Sequence, residues 1–245
     1  MKRIYAFFLM AILTMGVITS GCISIGETST APTATQPAND TIPLTGDTNG
    51  NLNVQSLQSY IDSIPAGELT QQEKESLLWM IEEEKLAHDV YIKLYEKWGL
   101  PIFNNIAKSE TTHVESVRLL LKKYNLTDPT TSRGIGEFQN RDLQNLYNQL
   151  VEQGMKSEID ALKVGAYIEE IDIIDLQERI AQTDKIDIIT VYENLMMGSR
   201  NHLRAFVKTL SNYGVTYEPQ VLPKDEFEAI INSPMETGQG RGGKP

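Results

Sequence analysis

The chain has 245 residues, 40% of them hydrophobic, with 33 acidic against 22 basic side chains and a formal net charge of -11. A surface that acidic repels nucleic acid and anionic lipid, so a binder of phosphate backbones is excluded. One cysteine permits no internal disulfide and no thiolate framework for zinc, haem or iron-sulfur groups, so a metal would have to be held by Asp, Glu and His.

In chain order, MKRIYAFFLMAILTMGVITSGC opens with two basic residues, continues with an apolar run from Ile4 to Ile18 and closes on small residues before Cys22. The run is short for a membrane span and has the flanks of a secretory signal. Cys22 follows Thr19-Ser20-Gly21, where a lipoprotein signal places the thiol that receives lipid. The expectation is an exported chain, cleaved after residue 21 and anchored at the cell surface or envelope by lipid on Cys22. A cleaved signal with an incidental cysteine, or an uncleaved anchor, are the competing readings. Losing residues 1–21 removes Lys2 and Arg3, two positive charges, and moves the net charge from -11 to -13. Residues 22–53 are rich in Thr, Pro, Ala and Asn and too poor in apolar side chains to offset their chain entropy, which reads as a tether. Residues 54–232 are long enough for one domain with a sizeable core, and 233–245 read as a disordered tail.

Four long helices are predicted inside that domain. The first opens at the capping box Thr70-Gln71-Gln72-Glu73 and stops at Gly99-Leu100-Pro101. Its apolar stripe is Leu77, Ile81, Glu84, Ala87 with His88, Tyr91, Leu94 with Tyr95, and Trp98, so Glu84 faces inward while Glu82 and Glu83 are expected in solvent. The second spans about Phe103 to Tyr124, and Ile106, Glu110, His113, Val117, Leu120 and Tyr124 form one stripe that includes an acid and an imidazole. A shorter helix, Arg141 to Gln153, reads as a crossover lying over the others. The third long helix starts near Ser157 with the stripe Ile159, Leu162, Ala166, Glu169, Ile173, Leu176 and Ile180, and Asp172 lies at the edge of the same face. A cap signal at Asp175 to Glu178 predicts a break there. The fourth begins around Asp184, closes at Gly214, and carries Ser199 and His202 in its seam beside Tyr192, Leu195 and Phe206.

Each seam thus contains ionisable or polar groups. Burying lone carboxylates costs several kcal/mol apiece, too much for a fold stable by about 5–15 kcal/mol, so one shared cluster is the better account. Glu84 lies 15 residues before Gly99 and Glu110 lies 11 after it, which an antiparallel hairpin brings to similar heights; Glu169 and His202 straddle the Thr183-Asp184 turn likewise. Either a cation or shared protons must then relieve the repulsion among Glu84, Glu110 and Glu169. A dry network of Glu, His, Ser and Tyr is the alternative to metal.

With EKLAHDVY at 84–91, SETTH, GAYIEEIDIIDL and GSRNHLRAF on those helices, the chain resembles the ferritin-like di-iron superfamily, whose members supply a Glu from each of two helices and Glu-x-x-His from each of two others. The same set resembles the exported ferritin-like family known as domain of unknown function 2202, over roughly residues 70–215. The resemblance implies an all-α fold, a ferritin-like antiparallel four-helix bundle with an additional crossover helix. It implies iron, as a pair of ions or a single one, with manganese as the alternative. Glu110 and Glu169 would bridge, Glu84 would be terminal, His113 and His202 would supply nitrogen, and Tyr91 and Tyr192 would stand behind the ligands. Ser199 occupies the place of the fourth-helix Glu, and Asp172 is the candidate replacement. Reduction of dioxygen or peroxide is the implied chemistry. No Cys-x-x-Cys module is present to feed electrons, so an external electron donor is expected, and a second copy of the chain is the other partner considered. A non-catalytic metal-binding or structural surface module with a degenerate site is the competing function.

Overall fold

The structure is a computed structural model that describes residues 53–237. Cys22, the signal and nearly all of the tether lie outside the described residues. Those residues form seven helices and no strand: α1 (Val54–Ser63), α2 (Gln71–Trp98), α3 (Pro101–Lys123), α4 (Arg141–Gly154), α5 (Glu158–Ile180), α6 (Ile186–Asn212) and α7 (Lys224–Ile231). The fold class is all-α, as expected. None of these helices is long and apolar enough to cross a membrane.

Two helical hairpins carry the core. The capping box at Thr70 and Glu73 starts α2, and Gly99 ends it in the left-handed region at φ 67°, a conformation that a side chain would oppose. Pro101 then occupies the first position of α3, where its missing N–H is not needed. The second hairpin pairs α5, capped by Ser157, with α6. Packing of α2 on α5 and of α3 on α6 closes the hairpins on one another, and α4 lies against both α2 and α5. A core of Leu77, Met80, Ile81, Val117, Leu120, Leu176, Ile188 and Leu195 fills one end of the hairpin pair. At that end Asp187 in the first turn of α6 accepts from the Tyr124 hydroxyl at 2.7 Å and pairs with Lys123, tying the second hairpin to the end of the first.

The structure departs from the sequence expectation in several places. No break interrupts α5, because Asp175 spends its charge sideways, 3.6 Å from Arg179 one turn on, rather than capping a new helix. Glu82 and Glu83 are buried, 4% and 2% exposed, instead of solvated. Contacts with α3, α4 and α5 on different sides leave that part of α2 without a free face. Glu82 accepts the backbone N–H of Gln139 at 2.5 Å and of Asn140 at 3.1 Å, where the chain enters α4, and Glu83 accepts the Trp79 indole at 2.9 Å. Two short helices had no sequence forecast: α1 adds Leu57 and Ile61 to the core, and α7 buries Phe227 and Ile230.

The segment after α6 is fastened twice. Glu170 on α5 accepts the Tyr217 hydroxyl at 2.6 Å and the backbone N–H groups of Gln220, Val221 and Leu222 at 2.8–3.1 Å. Further on, Glu236 accepts from Arg200 and Arg204, while the Asn201 amide both donates to the Glu236 carbonyl and accepts its N–H. Residues 233–237, read from sequence as part of a free tail, therefore include a docked strap on α6; 238–245 lie outside the described residues.

Candidate metal centre

The hairpins bring Glu84 from α2, Glu110 and His113 from α3, Glu169 from α5 and His202 from α6 into one buried cluster. Each of the three acids is at most 1% exposed, and His113 and His202 are 4% and 9% exposed. On α3 the three-residue step from Glu110 to His113 puts both side chains on one face, as an α-helix requires. Nδ1 of His113 lies 2.7 Å from Glu110 Oε2 and 3.1 Å from Glu84 Oε2. Nδ1 of His202 lies 2.9 Å from Glu110 Oε1 and 3.4 Å from Glu169 Oε2. The imidazoles stack with centroids 5.6 Å apart. Two donor sets result, Glu84/Glu110/His113 and Glu110/Glu169/His202, each with ligand atoms within 4.8 Å of one another. Glu110 belongs to both, one oxygen facing each histidine.

These approaches are close, yet most are not hydrogen bonds. His113 to Glu84 has the angle of one; Glu110 Oε1 and Oε2, Glu84 Oε1, Glu169 Oε2 and His202 Nδ1 have none at all. Five of the eight buried side-chain polar atoms left without a hydrogen bond among the described residues belong to these ligand candidates, and Asp172 Oδ2 is a sixth. Buried polar atoms are satisfied in the great majority of cases, so this concentration sets the cluster apart from the rest of the core, and its residue types could hold a metal ion.

The acids and imidazoles shift one another's protonation. Burial, against the pull of His113, raises Glu84 to about 7, with Glu110 adding to the rise. Glu110 moves the other way: burial opposes its ionisation, but the two imidazoles beside it hold it well below the usual carboxylate range. His202 is raised to about 9, since Glu169 and Glu110 overcome the effect of burial, and His113 is raised by Glu110 and Glu84 in the same manner. Burial raises Glu169 as well.

Around the donors, Tyr91 donates to Glu169 Oε1 at 2.5 Å and to the Gly165 carbonyl at 3.3 Å, which fixes one oxygen of Glu169 and leaves the other free. Tyr192 takes a different place from the one expected: its hydroxyl pairs with Ser76 Oγ at 3.0 Å and its ring sits in the apolar core. Ser199 is buried but donates back to the Leu195 carbonyl at 3.2 Å, so its hydroxyl is spent on its own helix. Asp172 is 2% exposed and is raised by burial and by the facing carboxylates of Glu84, Glu169, Glu83 and Glu110; it belongs to neither donor set. Sequence reasoning missed the layer behind it, where Glu83 is raised by burial and by Asp175. The spacings Trp79 to Glu83 and Asp175 to Arg179, one helical turn each, were the available signal.

Residues 73–234 match the family model described as Uncharacterized protein domain (DUF2202). A relative from Methanocaldococcus jannaschii, "Uncharacterized protein MJ0754", is 56% identical over 182 residues, covering 74% of this chain and 98% of the relative. The crystal structure of hypothetical protein MJ0754 from Methanococcus jannaschii superposes with a TM-score of 0.69, covering 71% of this chain and 99% of that one.

Proposed function

The chain belongs to the DUF2202 family, and from the centre it carries we propose a ferritin-like four-helix bundle that holds two metal ions, iron or alternatively manganese, between its hairpins. The observation that supports this reading is the set of five unsatisfied donor atoms on Glu84, Glu110, Glu169 and His202, facing one another in a buried layer. A carboxylate-rich, two-nitrogen donor set suits hard or borderline divalent ions. Bound there, iron would supply redox chemistry on dioxygen or peroxide.

The protein's own residues define the rest. Glu110 offers an oxygen to each half of the centre and is the bridging candidate, while Glu84 and Glu169 each serve one half. Glu169, expected to bridge, has one oxygen committed to Tyr91, which favours a terminal role. Ser199 leaves the α6 side without a carboxylate, and Asp172, buried with a free oxygen among the other acids, is the residue placed to compensate. Side-chain exposure is 11% at His202 against 5% or less at His113 and the three acids, so small molecules reach the His202 half first. Electrons come from a separate donor protein. The tether and a lipid on Cys22 place the domain at the envelope, and Cys22→Ala tests that by blocking processing or releasing the chain from detergent-extracted membranes.

Elemental analysis of the detergent-purified full chain tests the centre. Two ions per chain are expected; one ion favours the non-catalytic binding module, and none favours a proton-shared network of the same residues.

A further inference from the structure

Gly198 lies inside α6, one residue before Ser199 and opposite α3. A Cβ at this position would stand 2.5 Å from Nε2 and 2.7 Å from Cε1 of His113. Carbon and nitrogen atoms that are not bonded rest about 3.5 Å apart, so the imidazole and any side chain at 198 cannot share the space. The ring has no retreat: it is 4% exposed and has Glu84 and Glu110 on its other edge at 3.1 and 2.7 Å.

Backbone conformation does not call for this glycine. Among the described residues the left-handed glycines are Gly99, Gly136 and Gly214, whereas Gly198 is helical. In the interior of a helix glycine is the least favourable residue after proline, so its presence needs another cause, and close approach of a neighbouring group is the usual one. Here the neighbour is a candidate ligand rather than an apolar side chain.

We propose that Gly198 is a positioning residue of the metal centre: the bare backbone of α6 forms the wall against which the Nε2 and Cε1 edge of His113 rests, so that Nδ1 is the nitrogen turned to Glu84 and Glu110 and the one that would bind an ion held with them. This rests on the metal-centre reading above. It also assigns α6 a part in both halves of the centre, since the same helix supplies His202 directly and sets His113 through its backbone.

The test is metal content per chain, measured on the full chain for wild type, Gly198→Ala, His113→Ala and the double variant, with Gly154→Ala as the control for a tight glycine (its Cβ would meet Leu94 at 2.6 Å) remote from the centre. Gly198→Ala is expected to lose one of two ions while Gly154→Ala keeps both, and in the His113→Ala background the Gly198 change should cost no further metal or stability. If Gly198→Ala folds too poorly to load, recovery of folding in the double variant to the level of His113→Ala supports the proposal, and continued unfolding overturns it. Gly198→Ala with wild-type metal content overturns it alone. Wild-type chain that takes up no metal overturns the centre itself, and this proposal with it.

Discussion

Glu169 and Glu170 are neighbours on α5 and both are wholly buried, yet their surroundings are opposite. Glu170 accepts three backbone N–H groups and a tyrosine hydroxyl, enough to satisfy both oxygens without help from outside. Glu169 receives one hydroxyl and leaves Oε2 unsatisfied, as Glu84 and Glu110 leave theirs. The fold can therefore complete a buried carboxylate where its role is structural. That it does not do so for the three acids around His113 and His202 is the contrast on which the metal-centre proposal rests.

The largest effect expected from breaking this contrast is at Glu170. Glu170→Ala strands three N–H groups and the Tyr217 hydroxyl and should cost about 3–5 kcal/mol in denaturant melts, by the same amount with and without chelator. Glu169→Gln, made beside it, should change metal-free stability by no more than about 1 kcal/mol, because it removes a desolvated charge, but should lower metal content. Equal losses at the two positions would erase the distinction.

Next in size is the metal itself. At free ion a hundredfold above Kd, binding adds about 2.7 kcal/mol of stability. Wild type should lose that increment on chelation, whereas Glu110→Ala, which removes the oxygens common to both halves, should show none. His113→Ala and His202→Ala should each retain part of it, with His113 the more costly because Glu110 beside it completes its half.

The same contrast predicts a pH trend with opposite signs in the two forms. In the metal-free chain Glu84 titrates near 7 rather than 4.5 and His202 near 9 rather than 6.5. The folded state thus holds protons that the unfolded state has already released, and stability should fall as pH rises from about 5 toward 9. Glu110, held low, contributes in the other direction only below its unfolded value of 4.5. Ions compete with those same protons, so the stabilisation due to metal should grow over the same window. Thermal melts at stepped pH with and without chelator separate the two curves.

The smallest effect is at Glu83. Burial and Asp175 raise its pKa and so favour the neutral acid, which Glu83→Gln resembles in shape and charge, so stability should shift by less than about 1 kcal/mol and metal content should stay unchanged. A drop in metal equal to that of Glu84→Ala would move the boundary of the centre one residue along α2.

How far the sequence could be read depended on how many partners each helix has. Glu110 and His113 in the stripe of α3, and Glu169 in that of α5, interrupt apolar runs at helical spacing, and the capping box and Gly99 mark both ends of α2; these are local signals and were legible. Glu82 and Glu83 were placed in solvent because a single hydrophobic stripe implies a single buried face, and α4, which covers the other side of α2, contributes no local sign of doing so. The ten residues of α1 and the eight of α7 are too short to show a periodicity distinguishable from chance. Gly198 was invisible for a further reason: the sequence shows that a side chain is missing, not what stands in its place.

Asn201 meets both backbone groups of Glu236 with its amide, while Arg200 and Arg204 hold the carboxylate. The strap is thus recognised in the way an extended peptide is, by a main-chain match plus a charge clamp, except that the ligand is covalently attached. Tethering replaces a bimolecular affinity by an effective concentration set by the segment between Gly214 and Glu236, much of which Glu170 already immobilises. High salt screens the arginine part of this bond and leaves the amide part. Exchange of the Glu236 amide should therefore quicken with ionic strength while the Val221 and Leu222 amides, held by a buried carboxylate, keep their protection.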